Sequence, residues 1–220
     1  MFKDADYFYF AFEKGLKALA TYRRYIKSWE LFLGYLSLLE KQCESGKCIY
    51  KGVAIDTAEK FFLQCLAYVC KERGIDHPAD EPYGKGWEAL RNELENAVTR
   101  IENLPLGKVY ISHSRVSSIF EKRKEKSRIS PKLTGTARSV ILSQVDGIIY
   151  VGYSQADGVT RRLYLQGTDL IEAGGRYAEV FDMPRSIKYR QSEGGQNYGL
   201  KDLEKAMVPR QKTSREEEAS

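Results

Sequence analysis

Three short apolar runs that each end in a polar, chemically capable residue constrain this chain more than any other feature. Tyr7 to Phe12 (Tyr-Phe-Tyr-Phe-Ala-Phe) ends at Glu13, Lys51 to Thr57 carries Asp56 at its C-terminal end, and Lys108 to His113 ends in Ser112-His113. Runs this short, aromatic or β-branched and bounded by polar residues, read as strands buried on both faces. Between them lie long stretches with helical periodicity. Ser28 is placed to cap a helix whose apolar stripe is Trp29, Phe32, Leu33, Leu36 and Leu39. A second helix is expected from Ala58 to Arg73 and a third from Trp87 to Leu104, after a turn-rich connection holding Pro78 and Pro82. The order β-α-β-α-α-β predicts an α/β fold with a mainly parallel sheet flanked by helices. Parallel strands would gather Glu13, Asp56 and His113 along the carboxyl edge, where such sheets bind ligands.

Around this frame the predicted elements are less regular. Leu16 to Tyr22 reads as a turn or two of helix, and Gly135 to Leu142 as a short helix. Val145–Tyr153 and Thr160–Gln166 read as a C-terminal β-hairpin across Gln155-Ala156-Asp157-Gly158, because Asp-Gly is a strong turn dipeptide. Residues 1–190 are expected to form one core. Residues 191–220 are expected to be a flexible tail, with a short helix near Leu200 to Met207.

Composition excludes several classes. The chain has 220 residues, 42% of them hydrophobic and 30% charged, enough for a core and too polar for a membrane protein. No run approaches the roughly 18 apolar residues of a membrane span, and no leader pattern opens the chain. A cytoplasmic location is therefore expected. Cys43, Cys48, Cys65 and Cys70 form two C-x4-C pairs, looser than the usual zinc-binding spacing, so free thiols are expected.

Charge is concentrated. Between residues 115 and 132 the bases are Arg115, Lys122, Arg123, Lys124, Lys126, Arg128 and Lys132, and the acids Glu121 and Glu125; seven minus two equals the whole formal excess of +5. Such a patch points to a polyanionic partner.

Six motifs in a set order resemble one family: Asp56 closing its apolar strand, Pro-Tyr-Gly-Lys-Gly-Trp (82–87), Leu-Pro-Leu-Gly (104–107), Ile-Ser-His (111–113), Ile-Ser-Pro-Lys-Leu-Thr-Gly (129–135) and Val-Asp-Gly-Ile-Ile-Tyr (145–150). The order resembles the phage and prophage AAA/RecA-like P-loop ATPases of the single-strand annealing and recombination type, over about Tyr7 to Ile187. The resemblance implies a RecA-like core using ATP and Mg²⁺, with single-stranded DNA as partner and assembly as a homo-oligomer in a bacterial or phage-infected cell.

By position, Asp56 corresponds to the Walker B aspartate that holds Mg²⁺ through water, with Thr57 beside it. Glu13 corresponds to the glutamate that orients the attacking water, although relatives usually carry a Thr where this chain has Phe12. His113 corresponds to the sensor that reads the γ-phosphate. Arg161 and Arg162 correspond to the basic finger reaching a neighbouring subunit's nucleotide. Each has a plainer alternative: a helix cap for Asp56, a surface carboxylate for Glu13, scaffold for His113, exposed hairpin arginines for the last pair. The basic segment Ser114–Thr134 lies where such proteins place a mobile DNA-contacting loop, with Phe120 available to stack on a base. Its alternative is a solvated helix with charge pairs.

One part of the family's equipment is absent. The sequence contains no G-x-x-x-x-G-K-[ST], whose backbone N–H groups, lysine and hydroxyl cradle the phosphates and Mg²⁺. Gly46-Lys47 is followed by Cys48 and precedes a strand, and Gly84-Lys85-Gly86 fails on spacing. In relatives the loop precedes the strand that ends in Glu13, and here only six residues precede Tyr7. Three classes follow: an ATP-dependent recombination enzyme completed by that loop, a non-catalytic single-stranded DNA-binding module, or a scaffold subunit of such oligomers. Residues 1–220 are expected to hydrolyse ATP negligibly.

Overall fold

The computed structural model describes residues 6–15, 21–121, 124–133, 135–154, 158–177 and 184–189, without the side chains of 119–121 and 124–125. The described chain divides into two compact units, residues 1–113 with 132–144, and residues 114–131 with 145–220. The sequence alone suggests one body through residue 190.

The first unit is built on a four-stranded parallel sheet. Its strands are β1 (Tyr7–Ala11), β2 (Tyr22–Tyr25), β3 (Gly52–Asp56) and β4 (Gly107–Ile111), in the order β2-β1-β3-β4. All five residues of β3 are buried, as expected of a central strand. β2 differs from expectation. The predicted helical turns over Leu16–Tyr22 fall largely on residues outside those described, and from Tyr22 the chain is a parallel edge strand. Tyr-Arg-Arg-Tyr carries no apolar run that marks a strand; its pairing with β1 decides its conformation.

Helices flank the sheet. In α1 (Trp29–Glu44) the Ser28 Oγ accepts from the Leu31 N–H at 3.2 Å, and Trp29, Phe32, Leu36 and Leu39 are buried. α2 (Ala58–Arg73) ends on Gly74, whose φ of 64° places it in the left-handed region natural to glycine; the Ile75 N–H closes the cap on the Cys70 carbonyl at 3.0 Å. α3 (Lys85–Glu102) buries Leu90, Leu94, Ala97, Val98 and Ile101. Its first turn depends on Gly86, where a Cβ would collide with the Pro78 backbone. α4 (Gly135–Gln144) buries Ala137, Val140 and Ile141.

The core of this unit is aromatic. Phe32 lies 5.1 Å from Phe10, 4.9 Å from Trp29 and 5.2 Å from Phe61, ring centre to ring centre, joining β1, α1 and α2. The pairs with Phe10 and Phe61 are edge-to-face and that with Trp29 is tilted; such contacts add to the burial of large apolar rings. Trp29 also donates its Nε1–H to Glu93 at 2.6 Å, and Arg100 grips Glu40 at 2.8 and 2.7 Å, so α3 is tied to α1 at both ends. The four cysteines are free thiols.

The second unit is antiparallel. Strands β5 (Ser114–Glu121) and β6 (Lys124–Pro131) pair along their whole length. Strands β8 (Tyr150–Tyr153), β9 (Arg161–Tyr164) and β11 (Ser186–Lys188) form a three-stranded sheet in the order β11-β9-β8, and β7 (Gly147–Ile148) pairs with β10 (Gly174–Gly175). Leu163, Leu165 and Ile187 make its core, with Tyr177 and Tyr189 packed against them. The expected C-terminal hairpin is present as β8 and β9. Residues 155–157 of its turn, and the tail beyond residue 189, lie outside the described residues. β11 is not legible in the sequence, because Ser-Ile-Lys offers one apolar residue.

Candidate functional site at the carboxyl edge of the sheet

The register of the parallel strands brings the predicted carboxylates together. Ala11 pairs with Asp56, and Asp56 with Ile111. Glu13 and His113 each follow a paired residue by two positions, so the three lie on adjacent strands about 4.8 Å apart. The Phe12 N–H donates to the Asp56 carbonyl at 2.6 Å and carries the β1–β3 pairing past the strand's end. Phe12 is 6% exposed, a core ring packed against Phe32 and Phe61.

Asp56 is nearly buried, at 8% exposure. No donor among the described residues hydrogen-bonds its carboxylate. Burial, then the nearby Glu13 and Glu59, push its pKa above the ordinary aspartate value, while His113 pulls the other way. Thr57, also buried, caps no N–H of α2. Its hydroxyl instead donates to Glu13 Oε1 at 3.1 Å. Asp56 is therefore not explained as a helix cap, and Glu13 is held by a neighbour of Asp56.

His113 is positioned by a residue that sequence reasoning misses. Glu59, in the first turn of α2, accepts the His113 N–H at 2.7 Å and the Ser112 hydroxyl at 3.2 Å through Oε1, and lies 3.4 Å from His113 Nδ1. Its other oxygen, Oε2, is buried and unpartnered. An acid in the first turn of a helix usually complements the helix dipole, so position alone hides this role. The imidazole itself is more than half exposed.

The donor set suits a hard cation but not by direct chelation. Glu13, Asp56 and Glu59 offer carboxylate oxygen, and Asp56 is desolvated at the centre of the group. Among the described residues no three His, Cys, Asp or Glu side chains converge closely enough to hold a metal. Mg²⁺ would be held here through water, by Asp56. For the triphosphate the fit fails, since residues 1–220 contain no glycine-lysine loop to neutralise it.

The other candidates lie in the second unit. The segment expected to be a mobile DNA-contacting loop is an ordered hairpin, β5 and β6, and the alternative solvated helix is equally absent from its described residues. Hydroxyl and β-branched residues recurring along Ser114–Ile119 and Ser127–Ile129 favour a pleated ladder, and Ile129 adds a bridge to Ile171. Arg115 faces Ser130 and Ser117 faces Arg128 across the ladder, so Arg115 and Arg128 share a face with Lys126. The Nε atoms of Arg115 and Arg128 are buried and unpartnered; Lys126 reaches Asp169 at 3.3 Å. Lys122 and Arg123 lie outside the described residues, as does the Lys124 side chain. The chain returns to the first unit at Lys132, whose N–H donates to the His113 carbonyl at 2.8 Å. Arg162 is bound to Ser186 through Nε at 2.8 Å, and Arg161 lies over the Tyr153 ring at 5.7 Å. Both arginines are thus engaged within their own sheet.

No helix among the described residues is long and apolar enough to cross a membrane. No curated protein matches the chain significantly. The AAA domain does match, over residues 1–177, and that span contains the whole parallel sheet with its carboxylate edge, so the chain belongs to the AAA domain family of P-loop nucleotide-binding ATPases.

Proposed function

We propose that this chain is the hydrolytic part of an ATP-driven homo-oligomer that acts on single-stranded DNA in phage-type recombination. The meeting of Glu13 and Asp56 at the carboxyl edge, tied by the Thr57 hydroxyl, carries this reading. Among the described residues the Thr57 hydroxyl holds Glu13 by one oxygen, which supports a role in orienting a nucleophile. Asp56, desolvated and without a donor among the described residues, suits a hydrated divalent cation. His113, whose N–H donates to Glu59 and whose carbonyl accepts from Lys132, is held at this edge by its backbone while its imidazole stays exposed, which supports a sensor role. ATP, when bound, supplies the phosphoryl group; its cradle must come from a phosphate-binding loop that residues 1–220 do not contain.

Two proteins test this: the chain alone, and the chain joined upstream to a strand-loop-helix unit carrying G-x-x-x-x-G-K-[ST]. The first should turn over ATP negligibly. The second should hydrolyse it with Mg²⁺, lose turnover in Asp56→Ala and Glu13→Gln, and still bind nucleotide in Glu13→Gln. Loss of binding in Glu13→Gln would make Glu13 a structural residue. Steady turnover by the chain alone that disappears in Asp56→Ala would overturn the requirement for the loop.

A second reading is a non-catalytic DNA-binding module. The missing cradle together with the shared cationic face of Arg115, Lys126 and Arg128 favours it. An extended protein that binds single strands yet hydrolyses nothing would decide for it.

A further inference from the structure

The outer edge of the parallel sheet carries a second surface, distinct from the hairpin. From Lys14 to Trp29 the sequence holds five cations (Lys14, Lys17, Arg23, Arg24 and Lys27) and no acid. The structure places Arg23 and Arg24 on β2, the edge strand, between two tyrosines. All four β2 residues are exposed, Tyr22 by 47% and Tyr25 by 41%. Lys14 and Lys27 are exposed as well.

Strand alternation puts Tyr22 with Arg24 on one side and Arg23 with Tyr25 on the other, so each side offers one ring and one guanidinium, roughly 6.6 Å apart along the strand. The rings are held in place. Tyr22 packs edge-on to Tyr50 at 5.4 Å, the Arg24 guanidinium lies 5.9 Å from the Tyr35 ring centre, and the Lys14 ammonium lies 5.9 Å from that of Tyr25. Pre-set rings beside cations, with no competing carboxylate in the segment, match a ligand that has both flat aromatic faces and negative charge.

We propose that β2 is a binding strip for single-stranded nucleic acid, with Tyr22 and Tyr25 stacking on bases and Arg23, Arg24 and Lys27 contacting phosphates. The proposal rests on single-stranded DNA as the partner, but not on the hairpin as its site. Stacking needs unpaired bases, which sets single strands apart from duplex. A polypeptide strand adding to this edge is disfavoured, because cationic side chains are how sheets block edge-to-edge pairing. The strip also ends beside the carboxylate site. Tyr25 pairs with Ala11, the Ile26 N–H donates to the Ala11 carbonyl at 2.9 Å, and Lys14, which lies over Tyr25, follows Glu13 directly. A base stacked on Tyr25 meets Lys14, the neighbour of Glu13.

The test combines mapping with affinity. A photoreactive iodouracil-substituted oligothymidylate is crosslinked to the full chain, and the modified peptides are identified by mass spectrometry; crosslinks within residues 21–27 are expected. In fluorescence anisotropy Tyr22→Ala/Tyr25→Ala should weaken binding roughly tenfold or more, as stacking disappears at two bases, and Tyr22→Phe/Tyr25→Phe should stay near the parent. Arg23→Ala/Arg24→Ala should flatten the slope of log affinity against log salt by about 0.7 for each phosphate no longer neutralised. Crosslinks confined to residues 114–132, with parental affinity in the Tyr→Ala and Arg→Ala pairs, overturn the strip and leave the hairpin reading standing. Absence of any binding overturns both. Equal affinity for duplex and single strand overturns the stacking role. Should the tyrosine pair fail to fold, the arginine pair and the crosslinking map decide.

Discussion

The Thr57 hydroxyl donates to Glu13 Oε1 at 3.1 Å, from the residue after Asp56 to the residue two beyond the end of β1. Two neighbouring strands are thus joined beside Asp56, whose ionised form the nearby Glu13 disfavours. Thr57 opens α2 in a capping position, yet spends its hydroxyl on Glu13 rather than on the helix. A site placed this way has given up local helix stability for the orientation of one carboxylate, a trade expected at functional positions.

Thr57→Val should cost about 1 kcal/mol in urea unfolding, the usual worth of one partly buried hydrogen bond. The same change should release Glu13. In the extended, hydrolysing protein kcat should fall with nucleotide affinity near the parental value. An unchanged kcat would show that Thr57 does not position Glu13.

Asp56→Asn should stabilise the fold at neutral pH. The Asp56 pKa is raised in the folded protein, so the folded state disfavours its ionised form. The unfolded chain ionises first as pH rises, and stability is lost from below the ordinary aspartate pKa up through the raised folded value. The amide removes that loss. A melting temperature above the parent's is expected at pH 7. The gain should vanish as pH falls toward the ordinary aspartate range. A variant less stable than the parent at pH 7 would refute the electrostatic account.

Phe32→Ala should be among the most damaging core changes. Phe32 is fully buried and touches Phe10, Phe12, Trp29 and Phe61. A loss of about 3–5 kcal/mol is expected from transfer and cavity costs. Leu38→Ala, on the exposed face of the same helix, should lie within about 0.5 kcal/mol of the parent.

On the hairpin, Arg115→Ala/Arg128→Ala should weaken binding to oligothymidylate and flatten the salt slope by about 1.4, at roughly 0.7 per phosphate contact. Their Nε atoms are buried without partners, so the pair should also relieve a desolvation cost and leave the melting temperature equal or higher. Lys122, Arg123, Lys124 and Lys126 replaced together by Ala give the complementary test. Parental affinity and slope in both variants would remove the hairpin from the DNA site.

Local sequence pattern suffices for the parallel sheet and for the acids at its carboxyl edge. Buried strands such as Gly52–Asp56 must be apolar throughout, α1 must repeat its stripe every three to four residues, and an acid directly after an apolar strand has nowhere to go but the carboxyl edge. Those are local constraints, and local pattern reports them. The remaining elements depend on partners distant in sequence. Tyr22–Tyr25 is a strand only because β1 offers it an edge; Ser186–Lys188 is one only because β9 does. Ser114–Pro131 reads as a charged loop because its cations mask a period of two, and the ladder pairing Arg115 with Ser130 settles its form. Glu59 joins the site for the same reason. Its sequence position describes an ordinary first-turn acid, and only the register of β4 against β3 brings the His113 N–H within 2.7 Å of its carboxylate.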